Sequence, residues 1–349
     1  MTPISHLDAQ PLVNVGRPSL RRGVAERDTL DSTRGAAFQA AEPRFVSAFF
    51  QPGTALARRE NVDANRSRDR RGADPAPAPK RLAPRLLCLL AALALGLFAQ
   101  PAPPQETRQE RGKRVVEEAL AALGGPAFLH MEDRVEAGRA YSFYNAQLSG
   151  LSVATVYTRY LAPETGKLAM RERENFGKKQ DEGFVLFNES GAWDVNYHGA
   201  KPLDDQRFKN YQESGVLNIF YILRQRLAEP GLSFYSQGSD RFENQPVEIV
   251  DITDGDGRTV TVYFSRTTKL PVRQSFRRRN PTYGDFDTET TEFAKYHSTG
   301  GIQWPFDIRR ERNGDKIFEM YSETVTINQS LGDEMFTLPG NVKLLPKDK

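Results

Sequence analysis

Large apolar residues recur at every second position in several segments of the second half of the chain. The clearest segment is IQWPFDIRR, which begins at Ile302, and RTVTVYFS, which begins at Arg258, repeats the pattern. Successive side chains of a β-strand point to opposite faces of its sheet. Each segment therefore predicts a strand whose apolar groups share one face.

Further strand-like segments stand on both sides of these two, separated by turn sequences. They are PVEIVDIT, VRQSFRRR, FDTETTEFAKYH and KIFEMYSETVTIN, and the turns include DGDG and RTTKLP. Between about residues 130 and 196, short apolar–polar runs are broken by PETG, KKQDEG and NESG. Gly, Pro, Asn and Asp supply the backbone angles that tight turns require. The pattern predicts two meanders of antiparallel strands.

Two helices are predicted beside these strands. The segment ETRQERGKRVVEEALAALGG carries an apolar stripe at helical spacing and ends at Gly124 and Gly125. A second helix interrupts the meanders, with Asp204 or Asp205 as its cap and Gly215 as a point that can divide it. Its apolar face consists of Val216, Ile219, Phe220, Leu223 and Leu227.

Two helices give thin cover for about ten strands, each with an apolar face. A sheet with one apolar face must be covered by helices or must curl around its own interior. We therefore predict an α+β fold: a strongly curved antiparallel sheet, an incomplete barrel, with helices across its concave face. The interior of such a sheet is only partly filled by protein.

A short apolar run lies far inside the chain, between residues 86 and 98. It has thirteen residues, follows Lys80, Arg81 and Arg85, and precedes Ala99 and a Pro-rich stretch. A membrane-spanning helix needs about 20 apolar residues, whereas a signal-peptide core has roughly 7–15. We interpret residues 81–99 as a signal peptide and residues 100–106 as a linker. The alternatives are a buried core helix and a short membrane anchor.

Residues 1–80 are rich in Arg, Ala, Asp and Pro and show no helical or strand period. Such a composition cannot bury enough apolar surface to offset the entropy of ordering, so this segment is predicted to be disordered. One hypothesis is that translation starts later, near Val62 or Leu82. The other is a cytoplasmic arm that precedes an uncleaved anchor.

Charge and cysteine usage narrow the function. Removing the 15 basic and 9 acidic side chains of residues 1–99 from totals of 48 and 45 leaves 33 and 36, a net charge of −3. That balance argues against a general nucleic-acid role. We interpret the one dense basic cluster, RRR at Arg277–Arg279, as a solvated strand end. The single Cys88 lies in the apolar run, so the exported chain has no disulfide and no thiolate metal site.

No catalytic motif stands out, and we expect neither an enzyme nor a cofactor. His130, His198 and His297 have no paired-histidine spacing, and the chain has no G-x-S-x-G and no P-loop. DITDGDGRT is similar to a calcium loop, but Val262 stands at the twelfth position counted from Asp251, where a carboxylate is needed. We interpret it as a hairpin turn.

The order of elements and several motifs resemble the periplasmic outer-membrane lipoprotein-sorting (LolA-like) carrier superfamily. The motifs are a helix ending LGG, a strand ending LPVR after a turn, a Y…GG…WP hairpin, and a closing N…LGDEMFTLP. The resemblance covers roughly residues 107–340 and leaves 341–349 as a tail. Because the closing segment is apolar, we expect it to dock on the sheet.

The resemblance implies an incomplete antiparallel barrel whose cavity accepts acyl chains or apolar side chains. Relatives use this scaffold as carriers, membrane-anchored receptors and sensors that bind a regulatory partner. The carrier's lid-holding arginine lies on an early strand, where Arg171 or Arg173 could correspond. RERENFG lacks the surrounding pattern, so that role is not transferred.

The resulting hypothesis is an exported, soluble periplasmic binding protein that holds an acyl chain or a lipoprotein. The alternative is a periplasmic sensor or protein-interaction domain that carries no lipid and binds an envelope protein. The predicted lipid-binding residues, for which core packing is the competing interpretation, are Phe220, Leu223, Val262, Phe264, Trp304 and Phe306.

Overall fold

The first helix, α1 (Arg108–Leu123), begins at a capping box. The Thr107 hydroxyl accepts from the Glu110 backbone N–H at 3.2 Å, and the Glu110 carboxylate accepts from the Thr107 N–H at 2.8 Å. These bonds satisfy two of the donors that a helix start leaves open.

The computed structural model describes residues 106–177 and 183–347. The predicted disordered segment 1–80, the signal peptide 81–99 and all but the last residue of the linker 100–106 lie outside them.

In the described part of the chain, thirteen strands form one sheet, and every pair of neighbouring strands is antiparallel. The strand order is β6-β5-β4-β3-β2-β1-β13-β12-β11-β10-β9-β8-β7. Two meanders are thus joined where β1 pairs with β13, and β6 and β7 remain as edges. The predicted open antiparallel sheet is confirmed. The strands are β1 (Asp133–Tyr144), β2 (Gln147–Tyr160), β3 (Met170–Phe176), β4 (Gly183–Asn188), β5 (Gly191–Asn196), β6 (Gly199–Pro202), β7 (Ser233–Phe242), β8 (Gln245–Thr253), β9 (Thr259–Ser265), β10 (Pro271–Arg279), β11 (Phe286–Thr299), β12 (Ile302–Arg312) and β13 (Asp315–Ile327).

The second predicted helix is divided, but two residues beyond Gly215. After the short α2 (Pro126–Leu129), α3 (Asp205–Val216) starts at the N-cap Asp204. The chain then breaks at Leu217 and Asn218, and α4 (Ile219–Tyr221) continues into a π-helical turn, Ile222–Arg226. Asn218 causes this restart, because its side chain caps Phe220 N–H at 2.9 Å. No helix within the described ranges is long and apolar enough to span a membrane.

Gly215 serves close packing instead of the break. A Cβ at this position would lie 2.6 Å from a methyl carbon of Leu168. The absence of a side chain therefore lets α3 approach the β2–β3 connection.

The helices cover one side of the sheet, called here the inner face. The largest core cluster joins α1, α2, α4 and the π-helical turn to inner-face residues of β8–β13. Ile302 and Trp304 are buried in it, and Phe306 and Ile308 pack against it, so the alternation predicted for β12 is confirmed. Under α3, a second cluster includes Val185, Phe187, Ala192, Leu203 and Tyr211.

The sheet curves around its inner face. Met170 on β3 and Gln274 on β10 are six strand steps apart in the sheet. At about 4.8 Å per step, a flat sheet would separate them by roughly 29 Å. Both nevertheless line the same cavity of about 170 Å³, so the intervening strands must bend around it.

The closing segment docks on the opposite, outer face, as its apolar composition predicted. Phe336, in a 3₁₀ turn (Asp333–Phe336), is fully buried in a cluster with Phe184 and Leu186 of β4. The Asn188 side-chain amide donates to the Phe336 carbonyl at 2.9 Å. Further on, Leu344 forms a parallel bridge with Ala200, so this part of the chain lies along the β6 edge.

Candidate functional site

A cavity of about 170 Å³ lies between α3–α4 and the inner face of the sheet. Ser214, Gly215, Asn218 and Phe220 line it from the helices. The sheet lines it with residues of β1–β3 and β10–β12. The break between α3 and α4 therefore lies at the wall of this cavity.

One wall of the cavity is aromatic. The Phe220 ring centroid lies 4.9 Å from that of Phe293 and 4.8 Å from that of Trp304. Such edge-to-face and tilted contacts are the favoured arrangements of aromatic rings. The indole Nε1 of Trp304 is buried and has no hydrogen-bond acceptor among the described residues.

The opposite wall is ionic. Arg134 is buried and donates to Glu136 at 2.6 Å, to the Tyr160 hydroxyl at 3.0 Å and to the Thr158 hydroxyl at 3.0 Å. Its guanidinium also lies 4.0 Å above the Trp304 ring. This arginine connects the two walls through a cation–π contact.

Two glutamates of β3 form a hydrogen-bonded pair in the same cavity. Burial, followed by the charge of Glu172 and the hydrogen bond to it, raises the pKa of Glu174 well above its usual range. Burial also raises the pKa of Glu172, against the attraction of Arg134. Two carboxyl groups sharing a buried site resist double ionisation, so one of them keeps its proton to a higher pH than an exposed glutamate does.

A second ion cluster attaches α3 to the sheet. Arg278 donates to Glu213 at 2.7 Å, to the Ser214 hydroxyl at 2.6 Å and to Glu289 at 3.2 Å. Arg312 also donates to Glu289, at 2.8 Å. The interpretation of RRR as a solvated strand end is therefore wrong for Arg278, which is 6% exposed. The alternation of β10 turns it inward, while its two neighbours point outward and are exposed.

The six predicted lipid-binding residues lie together, but they do not form one wall. All belong to the largest core cluster or pack against it. Phe220 and Trp304 line the cavity. Leu223, Val262 and Phe264 are at most 1% exposed within the core, and Phe306 packs against the ring of His297 at 4.6 Å. A lipid-binding role for the six remains a prediction.

The other candidates of the sequence lie away from the cavity. Arg171 and Arg173 point to the outer face, where Arg171 pairs with Glu189 and Asp333 at 2.7 Å. The DGDG segment is a turn between β8 and β9, as predicted, and Asp254 accepts from the Arg258 N–H at 3.0 Å and from Arg226 at 3.0 Å. His130 and His198 are exposed.

The ionic wall was not predicted from the sequence, although the charge pattern of β3 indicates it. The strand MRERENF alternates basic and acidic residues, and this spacing places Glu172 and Glu174 on one face and the two arginines on the other. The same alternation that marks an apolar face thus also marks an ionic one.

No family model and no curated protein matches the chain. Among solved structures, the chain is similar to a DUF1329 family protein from Desulfovibrio piger, with 12% identity, a TM-score of 0.46, and coverage of 65% of this chain and 97% of that chain. It is also similar to a putative outer membrane lipoprotein-sorting protein domain from Vibrio parahaemolyticus, with 14% identity and a TM-score of 0.43, at the same coverage. A LolA superfamily protein from Nitrosomonas europaea gives 11% identity and a TM-score of 0.40, again at 65% and 97%.

These alignments carry no functional argument at such scores. The open antiparallel sheet with helices on its inner face agrees by itself with the fold that the motifs imply.

Proposed function

We propose that the protein is an exported binding protein that holds the end of an acyl chain in the cavity beneath α3 and α4. The observation that supports this most is a cavity beneath the helices with an aromatic wall. Burying one methylene of a chain contributes about 0.8 kcal/mol. A chain end can therefore bind there without a catalytic constellation.

The orphan donor of Trp304 favours an acyl group over a plain hydrocarbon. Buried polar groups without a partner are rare in proteins and call for an explanation. An acyl carbonyl is an acceptor of the kind that the Trp304 indole N–H lacks.

The volume of the cavity limits the size of the ligand that it can hold. Sites for drug-sized ligands measure about 300–1,000 Å³, and this cavity has about 170 Å³. A long chain would require α3–α4 to lift at the break near Asn218, against the contacts of Arg278 and of Gln274, which accepts from the Ile219 N–H at 2.8 Å.

The same volume favours a second candidate, a protein-interaction or sensor domain that carries no lipid. The remaining inner face is a packed core, and a scaffold of this kind needs no cargo.

In both versions, residues 81–99 direct export, and the periplasm is the proposed location. The partner is then an acylated molecule in the first version and an envelope protein in the second.

Ile308 offers a direct test, because it lines the cavity and packs against the core. The protein is purified from the periplasm, and bound molecules are detected by native mass spectrometry and solvent extraction. Ile308→Phe fills the space and is expected to abolish co-purification of acyl compounds, whereas Ile308→Val at the same position keeps it. Circular dichroism checks that both variants fold. A wild-type protein that never carries or accepts an acyl compound would favour the sensor.

A further inference from the structure

The indole of Trp304 carries a hydrogen-bond donor without an acceptor. Trp304 is 3% exposed, and its buried Nε1 has no acceptor within residues 106–177 and 183–347. A buried donor that stays unpaired destabilises a fold, so such groups are rare in proteins. The expected acceptor of this N–H is therefore a water molecule or a ligand atom.

Two neighbours hold the Trp304 ring in place. The Arg134 guanidinium lies 4.0 Å from the ring centroid, and the centroid of the Phe220 ring lies 4.8 Å from it. All three side chains line the cavity. The indole cannot rotate toward a distant acceptor without breaking these contacts. Its partner is therefore expected on the side of the cavity.

The donor is uncharged, and this limits the kind of acceptor. A carboxylate in a buried site needs a cation with good geometry, because it loses its hydration. Arg134, the cation that contacts the Trp304 ring, is already paired with Glu136 at 2.6 Å. Its other two nitrogens donate to the hydroxyls of Tyr160 and Thr158, each at 3.0 Å. The guanidinium beside the indole is thus committed to the sheet.

A second arginine of the cavity lining is also surrounded by acidic groups. Arg310 shares the lining with three glutamates: Glu172, Glu174 and Glu289. A carboxylate that entered the cavity would have to compete with these groups for an arginine. A neutral carbonyl oxygen needs no counter-charge and matches the single indole donor.

The size of the cavity limits how much of a ligand surrounds that carbonyl. An engineered cavity of about 150 Å³ accommodates benzene, which has six heavy atoms. The cavity here has about 170 Å³, which corresponds to a carbonyl oxygen and about five carbons. The rings of Phe220 and Phe293, with centroids 4.9 Å apart, provide apolar contact for the carbons.

We propose that Trp304 determines the specificity of the cavity: its indole N–H binds an uncharged acyl carbonyl whose neighbouring carbons lie against Phe220 and Phe293. This inference rests on the proposed binding function and narrows the ligand to esters, amides and ketones, with free fatty acids rejected. A carbonyl can displace water from the indole and keep the hydrogen bond, whereas an alkyl group cannot.

Three probes with six heavy atoms each separate these classes. 2-Pentanone has a neutral carbonyl, 2-methylpentane has a methyl group in place of the oxygen, and butanoate has a carboxylate. Their affinities for the folded, exported protein are measured at pH 7 by NMR titration. Butanoate is expected to bind at least about tenfold more weakly than 2-pentanone, because its charge lacks a free partner in the cavity.

Trp304→Phe removes the N–H and keeps an aromatic ring. Because the ketone and the alkane have the same shape, the loss of ring volume affects both probes alike. The ratio of their affinities should therefore shift by about tenfold toward the alkane in this variant, the effect of one hydrogen bond. Trp193→Phe, in the outer-face cluster, is the matched control and should leave the ratio unchanged. Circular dichroism verifies both folds.

The wild type provides a second measurement that does not depend on a variant. The chain has two tryptophans and therefore two indole N–H signals in a proton–nitrogen NMR spectrum. 2-Pentanone should move the Trp304 signal downfield, and 2-methylpentane should not. The Trp193 signal is the internal reference and should stay in place with both probes.

The outcomes separate this inference from the proposed function. If 2-pentanone and 2-methylpentane bind with the same ratio in the wild type and in Trp304→Phe, and the Trp304 signal does not respond to the ketone, the indole binds only water and this proposal is wrong. Butanoate that binds as tightly as 2-pentanone would also overturn it. If no probe binds, both proposals are wrong.

Two esters distinguish the sources of the carbonyl. Methyl propanoate has six heavy atoms, and methyl decanoate carries the same ester group on a long chain. Both are added in the same NMR titration. Binding of methyl propanoate alone assigns a small ester, and binding of both assigns the carbonyl end of a lipid ester. Failure of both esters, with 2-pentanone bound, would contradict the assignment of an acyl ligand.

Discussion

The inner face of the sheet has two halves that share one hydrogen-bonded ladder but differ in how they are filled. The packed half lies under α1 on β8–β10 and includes Val250, Ile252, Val260, Val262 and Phe264, each at most 1% exposed. The ionic half lies on β1–β3 and β10–β12, contains the buried ion pairs of Arg134 and Arg278, and lines the cavity. Apolar side chains interdigitate to a density that leaves few voids. Ion pairs hold their side chains in fixed positions, and in the ionic half the cavity beside them is left unfilled.

The largest effect should come from introducing a charge into the packed half. Phe264→Glu would place a carboxylate without a partner among apolar groups, and we expect it to destabilise the fold by about 5 kcal/mol or more. Urea unfolding measures this loss. Val153→Glu, at a position 46% exposed, is the matched control and should remain within about 0.5 kcal/mol of the wild type. A folded, stable Phe264→Glu variant would contradict the assignment of this half as core.

In the ionic half, removing one partner of a buried ion pair should destabilise the fold, because the other partner remains buried without its counter-charge. Arg278→Met leaves Glu213 and Glu289 short of a counter-charge, which in a buried pair costs about 3–5 kcal/mol. Urea unfolding of Arg278→Met, of Glu213→Gln and of the double variant gives the coupling between the two sites. Additive losses would mean that Arg278 and Glu213 do not act as a pair.

The sequence predicted the packed half better than the ionic half. Strands such as RTVTVYFS signal their inner face through apolar alternation, and α1 is encoded by an apolar stripe and a capping box. The pairing of β1 with β13, which joins the two meanders and carries Arg134 toward β12, is a long-range contact with no local signal. The burial of Arg278 depends on α3 lying above β10, so the motif RRR alone could not reveal it.

The two halves should also differ in their response to pH. Glu174 has a raised pKa in the folded state, so the stability it contributes is present below the ordinary glutamate pKa and is lost as pH rises through the raised value. One proton corresponds to at most about 1.4 kcal/mol per pH unit. Urea midpoints of the wild type should therefore fall as pH rises above about 4.3.

Glu174→Gln should flatten this pH dependence. Glu189, whose pKa the hydrogen bond from Arg171 lowers, titrates below this range, so Glu189→Gln should keep the wild-type slope. Equal slopes in all three proteins would show that the β3 pair does not hold the proton.

The smallest effect is expected on the outer face of the same strand. Arg171→Met removes ion pairs with Glu189 and Asp333, whose side chains are 50% and 67% exposed, and exposed pairs contribute at most about 1 kcal/mol. Thermal unfolding in low and high salt should show a small loss that salt reduces. A loss as large as that of Arg278→Met would remove the distinction between the two faces of the sheet.

Methyl NMR during a titration with 2-pentanone, a short probe with a carbonyl acceptor, tests the central claim most directly, because it observes both halves in one experiment. Ile308 and Met170 line the cavity, whereas Ile252 and Val262 belong to the packed half. We predict concentration-dependent shifts of the Ile308 and Met170 methyl signals, with the Ile252 and Val262 signals unchanged. Shifts confined to Ile252 and Val262, or no shift at any of the four, would contradict the account.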